Sequence, residues 1–314
     1  MNDEDLFEED GTAYQISPEL ALLIARANDL LIRLDAWLPP APPRVDWRTT
    51  LACRWRKPMG RGMLAPVATL NCPPWEALTG IDAQKAALDR NLRQFLKGLP
   101  ANNVLLAGSR GCGKSSLVKA LLPRYAKKGL RLVEVDRDDL MDLPDITDRL
   151  AGQPGKFVLF ADDLSFEPGE AGYKPLKAAL DGSIAGLPGN VMLCATSNRR
   201  HLMPEFFAEN DATRHLGGEV RPAESIEEKI SLSDRFGLVL TFYPFNQDDY
   251  LAIVAGWVTA LGGTVDDALR AEALQWAIQR GGRSGRVAQQ FARDWVGRQG
   301  LRGGGKRRRA GTGD

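Results

Sequence analysis

The amino-acid sequence predicts an α/β fold of three layers, in which a parallel β-sheet lies between helices and is followed by a small α-helical unit. Three apolar runs of strand length, at residues 103–107, 157–161 and 191–196, predict buried strands. A glycine-rich segment joins the first run to a helical pattern. Three further helical patterns, at residues 248–261, 266–280 and 285–298, are separated by glycine pairs and predict the helical unit.

The charge of the 314-residue chain is nearly balanced, with 41 Lys and Arg, 40 Asp and Glu, and a net charge of +1. This total does not indicate a strongly charged partner. The ends differ from the body, because residues 1–10 carry acids without a base and residues 302–314 are mainly basic. We expect both ends to be disordered.

The four cysteines and two histidines show neither a CxxC pair nor the spacing of a zinc site, so a disulfide framework is not indicated. The apolar stretch at residues 20–38 is interrupted by charges and is too polar to span a membrane. The acidic N-terminus lacks the basic segment of a signal peptide. We therefore expect a cytoplasmic protein with no membrane partner.

The strongest local pattern lies directly after the first apolar run. Residues 108–115 fit G-x-x-x-x-G-K-[ST], the phosphate-binding loop of P-loop NTPases. Glycines let backbone N–H groups turn toward phosphate oxygens, and the next helix offers its positive N-terminus. We expect Lys114 to reach the β- and γ-phosphates and Ser115 to bind Mg²⁺. The predicted binding residues here are Gly108, Ser109, Arg110, Gly111, Cys112, Gly113, Lys114, Ser115 and Ser116.

Polar residues follow the other two apolar runs. Asp162 and Asp163 end the second run, as in a Walker B strand, and Asp162 is expected beside Ser115 at the Mg²⁺ site. Asp163 then occupies the place of a base that orients water, although both aspartates could instead cap the next turn. Asn198 follows the third run, where it would hydrogen-bond the attacking water or the γ-phosphate, or simply end the strand.

These motifs, followed by Ser-Leu-Ser-Asp-Arg-Phe-Gly at residues 231–237 and a helical C-terminal region, resemble the AAA+ ATPases. More narrowly, residues 162–166, 195–202 and 228–237 look like a little-characterised bacterial family of predicted ATP-binding AAA+ proteins. The resemblance covers residues 75 to 298 and implies ATP and Mg²⁺ as cofactors. It also implies a homo-oligomer that acts on a protein or nucleic-acid client.

The resemblance further implies roles for residues outside the loop. Arg235 would be an arginine finger that enters the site of the next subunit, or else a surface arginine that pairs with a nearby acid. Arg286 would be the second sensor, which touches the γ-phosphate from the lid, with Arg283 as the alternative. Gly80 and Ile81 would approach the adenine, although Ile81 could be an ordinary core residue.

Two features depart from the AAA+ pattern. Asp163 stands where most members have the longer Glu, so its reach to the attacking water is shorter. Residues 165–190 lack the aromatic pore loop of protein-threading members, so a threading motor is not indicated. The leading hypothesis is therefore a Mg²⁺-dependent ATPase that remodels a partner. The alternatives are a nucleotide-dependent switch with little turnover and, less favoured, a P-loop kinase for a small molecule.

The sequence divides into four predicted parts: an N-terminal appendage at residues 1–76, an AAA+ core at 77–244, a helical lid at 245–300 and a basic tail at 301–314. The appendage combines an amphipathic helix with a segment rich in proline and tryptophan. Trp47 and Trp55 lie among basic residues, a mixture that could bind single-stranded nucleic acid. We favour the interpretation that these tryptophans pack the appendage onto the core.

Overall fold

The computed structural model describes residues 17–37, 45–164, 173–180, 186–198 and 233–309. It divides the chain into two compact units, Met1–Arg44 and Val45–Asp314. The described part of the first unit is one helix, α1 at Pro18–Trp37, which lies where the sequence predicts a helix. Its leucines are largely exposed, as at Leu23 and Leu30.

The second unit is built on a seven-stranded sheet with the order β2-β1-β4-β5-β6-β3-β7. Every neighbouring pair of strands is parallel except β1 and β2, which form an antiparallel hairpin. The strands are β1 (Ala52–Arg56), β2 (Met63–Pro66), β3 (Val104–Gly108), β4 (Leu130–Val135), β5 (Lys156–Ala161), β6 (Val191–Ser197) and β7 (Leu238–Phe242).

Helices pack on both faces of this sheet, because alternate side chains of a strand point to opposite sides. In β5, Phe157 and Leu159 belong to one apolar cluster, whereas Val158 and Phe160 belong to the other. The first cluster includes α4 (Leu143–Leu150) and α5 (Tyr173–Leu180), and the second includes α2 (Asp82–Leu96) and α3 (Lys114–Tyr125). The predicted three-layer α/β fold is confirmed.

Residues 45–76 belong to the same unit as the sheet. The unit therefore begins earlier than the boundary at residue 76 that the sequence predicts. The compact unit begins at Val45, and β1 extends the parallel sheet by pairing with β4. Trp47 packs edge-on against Phe157 with a centroid distance of 4.7 Å, and Trp55 is only 1% exposed. The strands β1 and β2 escape sequence analysis because they are short and contain arginines or proline, so only the neighbouring strand reveals them.

The last three helices of the second unit, which we call the C-terminal unit, pack around their own apolar cluster. They are α6 (Gln247–Ala260), α7 (Asp267–Gln279) and α8 (Gly285–Arg309). Asn246 and Asp266 cap α6 and α7 by accepting backbone N–H hydrogen bonds, so the first two helices begin where expected. The segment 301–309, predicted to be disordered, continues α8 instead. A helix that is already nucleated gains one hydrogen bond with each residue that it adds, and this gain opposes the low helix propensity of the glycines in the segment.

The acidic residues 1–10 and the last residues, 310–314, lie outside the described part of the chain. Residues 199–202 and 228–232 of the motif segments also lie outside it. Among the described residues, no helix is both long and apolar enough to cross a membrane.

Candidate nucleotide-binding site

The glycine-rich loop runs from the carboxyl end of β3 to the start of α3, as its sequence predicts. Gly108, Gly111 and Gly113 have φ values of 133°, 73° and 91°, a region that residues with a Cβ rarely adopt. At Gly108, a Cβ would lie 2.0 Å from the Phe242 carbonyl oxygen, which leaves no space for a side chain. The backbone path of the loop therefore requires glycine at these positions.

Lys114 lies under this loop and is 5% exposed. Its Nζ donates hydrogen bonds to the carbonyl oxygens of Gly108 (2.8 Å) and Ser109 (2.7 Å), and to Oδ1 of Asn198 (3.1 Å). Burial lowers the pKa of this ammonium group, while nearby acidic groups, including Asp163, act in the opposite direction. The loop thus holds a buried cation whose carbonyl partners can be exchanged for phosphate oxygens.

Asp162, at the end of β5, meets the first turn of α3. Its Oδ1 accepts hydrogen bonds from the hydroxyls of Ser115 and Thr196, each at 2.6 Å. Hydroxyl and carboxylate oxygens are the ligands that Mg²⁺ prefers. Within the described ranges there is no cluster of three or more His, Cys, Asp or Glu that could hold a metal. The donor set fits a Mg²⁺ ion held by one hydroxyl, one carboxylate, water and phosphate oxygens.

Asp163 adopts a left-handed backbone conformation with φ of 57°. Its Oδ1 accepts a hydrogen bond from Nδ2 of Asn198, and its Oδ2 lies 3.8 Å from a guanidinium nitrogen of Arg110. Because Asn198 also accepts from Lys114, the three side chains form one hydrogen-bonded chain. Asp163 and Asn198 follow the carboxyl ends of β5 and β6, and Lys114 is the first residue of α3, which the loop joins to β3. These three strands are neighbours in the sheet.

These groups open into a cleft of about 600 Å³. Most of the predicted site residues line it, namely Ile81, residues 110–116, Asp162, Asp163, Asn198 and Arg286. Gly80, Gly108 and Ser109 are not among the lining residues. Gly80 instead forms a turn with φ of 75° beside Phe245, and Gly108 and Ser109 face Lys114 with their carbonyl groups.

The C-terminal helices close one side of the cleft. The N–H of Gly285, at the start of α8, donates to the Gly111 carbonyl oxygen at 2.7 Å. Arg286, Gln289 and Arg293 follow at helical spacing and all line the cleft. Only Arg286 was predicted, although the spacing of i+3 and i+7 could have indicated the other two.

An apolar wall faces the polar end of the cleft. It consists of Ile81 and Leu78 before α2, together with Phe245, Ile253 and Trp257 from the C-terminal unit. Apolar and aromatic walls with few polar groups are typical of small-molecule sites. This part of the cleft is suited to a planar base.

Arg235 lies outside the cleft of its own chain. It is partly buried, just before β7, and is not a lining residue. The sequence analysis also missed Thr196, which is 1% exposed and donates a hydrogen bond to the Asp162 carboxylate. It ends an apolar run, and the sequence assigns no role to its hydroxyl.

Residues 48–299 match a protein family described as "Protein of unknown function (DUF815)". The chain belongs to this family. No curated protein matches the chain. In the sheet, β3 lies between β6 and β7, and three helices follow β7 in the chain.

Several solved structures are similar to the chain. The Holliday junction branch migration motor RuvB of Thermotoga maritima is 19% identical, with a TM-score of 0.46, over 68% of this chain and 61% of RuvB. ORC1 of Aeropyrum pernix, solved in complex with DNA, is 16% identical, with a TM-score of 0.46, over 67% of this chain and 57% of ORC1. The FIGL-1 AAA domain, solved with ADP, is 15% identical, with a TM-score of 0.47, over 71% of this chain and 72% of the FIGL-1 domain. The chain spans less than two thirds of the length of RuvB and of ORC1.

Proposed function

We propose that the chain binds ATP with Mg²⁺ in this cleft and hydrolyses it. The observation that carries the proposal is the hydrogen-bonded chain of Lys114, Asn198 and Asp163, placed beside the pair Ser115 and Asp162. A cation, a polar amide and two carboxylates thus meet at the end of adjacent strands, where open α/β sheets bind their ligands.

Binding begins with charge and shape. The loop backbone and the N-terminus of α3 offer N–H groups to the phosphates, and Lys114 exchanges its carbonyl partners for β- and γ-phosphate oxygens. Arg286 reaches the phosphates from the lid, while Ile81 and its apolar neighbours take the adenine. Mg²⁺, when held by Ser115 and Asp162, neutralises phosphate charge.

Hydrolysis requires water in line with the bond between the γ-phosphorus and the β,γ-bridging oxygen. Asn198 and Asp163 orient this water, and its proton passes to Asp163 or to solvent as its oxygen bonds the phosphorus. The bridging bond breaks and its electron pair leaves with ADP. Stabilisation of the charge on the transferred group by fixed donors is the main catalytic contribution in such reactions.

Assembly completes the proposed site. Arg235 lies outside its own cleft, which supports a role as an arginine finger in the cleft of a neighbouring copy. Such a finger contributes about 10³ to 10⁵ in rate in related phosphoryl transfer. The protein would then act as a homo-oligomer that uses ATP to remodel a protein or nucleic-acid client.

A second candidate is a switch that binds nucleotide with little turnover. It is favoured by the environment of Asp163, whose carboxylate already accepts from Asn198 and lies near Arg110. The side chain is also shorter than the usual glutamate, so it approaches water less closely.

The test measures ATP affinity by calorimetry and phosphate release by a coupled assay. Loss of a charge-assisted hydrogen bond predicts that Lys114→Ala weakens ATP binding roughly 10- to 100-fold. The exposed Lys127→Ala variant is the matched control and keeps the wild-type affinity. Asp163→Asn should bind ATP but release little phosphate. Unchanged binding in Lys114→Ala would refute the site, and binding without turnover in the wild type would select the switch.

A further inference from the structure

The hydroxyl of Thr196 connects both aspartates of the site. The backbone N–H of Asp163 donates to Thr196 Oγ1 at 2.9 Å, and Oγ1 lies 2.6 Å from Asp162 Oδ1. The Thr196 carbonyl oxygen also accepts from the N–H of Leu164 at 2.7 Å. One residue of β6 therefore binds three consecutive residues that follow β5.

The direction of both side-chain hydrogen bonds is determined by chemistry. A backbone N–H can only donate and an ionised carboxylate can only accept. The Thr196 hydroxyl must therefore accept from Asp163 and give its single proton to Asp162. A serine can do the same, whereas a valine of similar shape can do neither.

The hydrogen bonds to Thr196 stabilise an uncommon backbone conformation at Asp163. A left-handed conformation is uncommon for a residue other than glycine, although Asp tolerates it better than most, and surrounding contacts must hold it. The hydrogen bonds to Thr196 hold the residues on either side of the turn. The turn points the Asp163 carboxylate toward Asn198.

Asp162 depends on the same hydroxyl. It has two hydroxyl donors, Ser115 and Thr196, of which Ser115 is the expected cation ligand. If Ser115 turns to a cation, Thr196 remains to orient the carboxylate. Its branched side chain is restricted in rotation and is 1% exposed, so the hydroxyl stays in place.

We propose that Thr196 is the positioning residue for both carboxylates: it orients Asp162 toward Mg²⁺ and holds the backbone turn that aims Asp163 at the attacking water. The proposal rests on the proposed ATPase function. It also accounts for the use of an aspartate at position 163, since the turn and not a longer side chain determines the direction of the carboxylate.

The test compares Thr196→Val, which removes the hydroxyl, with Thr196→Ser, which keeps it. Thr147→Val is the matched control, because Thr147 is also buried and its hydroxyl donates to the Pro144 carbonyl oxygen far from the aspartates. Three quantities are measured: the ratio of ATP affinities with Mg²⁺ and with EDTA, kcat and KM, and amide hydrogen exchange at Asp163 in nucleotide-free protein. Thermal melting identifies a variant that fails to fold, and Thr196→Ala then replaces the valine variant.

Thr196→Val removes a hydroxyl that orients an expected Mg²⁺ ligand. It should lower kcat and the affinity gain from Mg²⁺ by roughly 10- to 100-fold, with a smaller change in KM. Exchange at the Asp163 amide should become faster. Thr196→Ser should restore all three quantities to within about threefold of the wild type. A folded valine variant with wild-type exchange, Mg²⁺ gain and kcat would overturn the proposal. A wild type that gains no ATP affinity from Mg²⁺ overturns the proposed function instead, and amide exchange then still decides the role of Thr196.

Discussion

The carboxylate of Asp142 links β1 and the residue after it to the segment between β4 and α4. Its Oδ2 accepts from the indole N–H of Trp55 at 2.8 Å and lies 3.0 Å from Nζ of Lys57. Burial raises the pKa of Asp142, but the hydrogen bonds from Trp55 and Lys57 outweigh it and lower the pKa below 3.8. The ionised form is therefore the one that stabilises the fold.

This shift predicts a pH-dependent loss of stability. A carboxylate with a lower pKa in the folded state stabilises above its unfolded pKa, and the contribution disappears as the pH falls through the folded value. Asp142→Asn should lower the free energy of unfolding by about 1 kcal/mol at pH 7 and by less at pH 3. Urea unfolding at both values measures this, with the exposed Asp138→Asn as the control. An equal loss at both pH values would contradict the assignment.

The same residues bear on nucleic-acid binding by the tryptophan-rich segment. Stacking of bases needs an accessible aromatic face, but Trp47 is 4% exposed and Trp55 is 1% exposed. Lys57 pairs with Asp139 and Asp142, and Arg54 pairs with Glu134. The packing of these tryptophans on the sheet agrees with the interpretation favoured from the sequence.

At the scale of elements, the start of α8 packs directly on the phosphate-binding loop. The 2.7 Å hydrogen bond from Gly285 to Gly111 joins the two, and a Cβ at Gly285 would lie 3.0 Å from the Gly111 carbonyl oxygen. A Cβ at Gly111 would lie 2.7 Å from Cβ of Ser284. Glycines at both positions thus allow α8 and the loop to approach this closely.

Gly285→Ala should separate this contact and weaken ATP binding. Overpacking that costs about 1 kcal/mol corresponds to a roughly fivefold higher Kd. Gly297→Ala, on the same helix with open space at its Cβ, is the control and should keep the affinity while stabilising α8 slightly. Calorimetric titration of ATP distinguishes the two, and equal affinities would show that the lid does not act through this contact.

At the scale of the whole molecule, the near-neutral chain concentrates cations at one place. Lys119 and Arg293 line the cleft in addition to the predicted Arg110, Lys114 and Arg286, whereas the lining acids are Asp162 and Asp163. Local excess of positive charge attracts a polyanion even when the net charge is close to zero. Arg235, outside this group, is the residue through which a neighbouring copy would add one more cation.

A mixing experiment tests that contribution. Arg235→Ala and Lys114→Ala should each hydrolyse ATP at least roughly 100-fold more slowly than the wild type. When the two are mixed, about one quarter of randomly formed head-to-tail interfaces would join an intact Lys114 to an intact Arg235, so activity should partly return. The Lys114→Ala, Arg235→Ala double variant mixed with Arg235→Ala is the control and should recover nothing. Full activity of Arg235→Ala alone would exclude the shared site.

Much of this protein could be predicted from its sequence where the signal is local. The loop at 108–115 is specified by glycines that the backbone needs, and β3, β5 and β6 are apolar because both of their faces are buried. The first residues of α6 and α7 follow from the N-caps Asn246 and Asp266. The alternation and spacing of neighbouring residues carry this information.

Other features depend on partners that are distant in the chain. β1 is a strand because β4 offers it an edge, and Thr196 matters because β5 ends beside it. Gln289 and Arg293 line the cleft only because the start of α8 packs on the phosphate-binding loop. The sequence by itself determined the phosphate-binding loop, the two aspartates and the fold class, since these follow from local backbone and burial rules. Only the tertiary structure decided that Thr196, Gln289 and Arg293 join them, because hydrogen bonds and close packing depend on distances between separate elements.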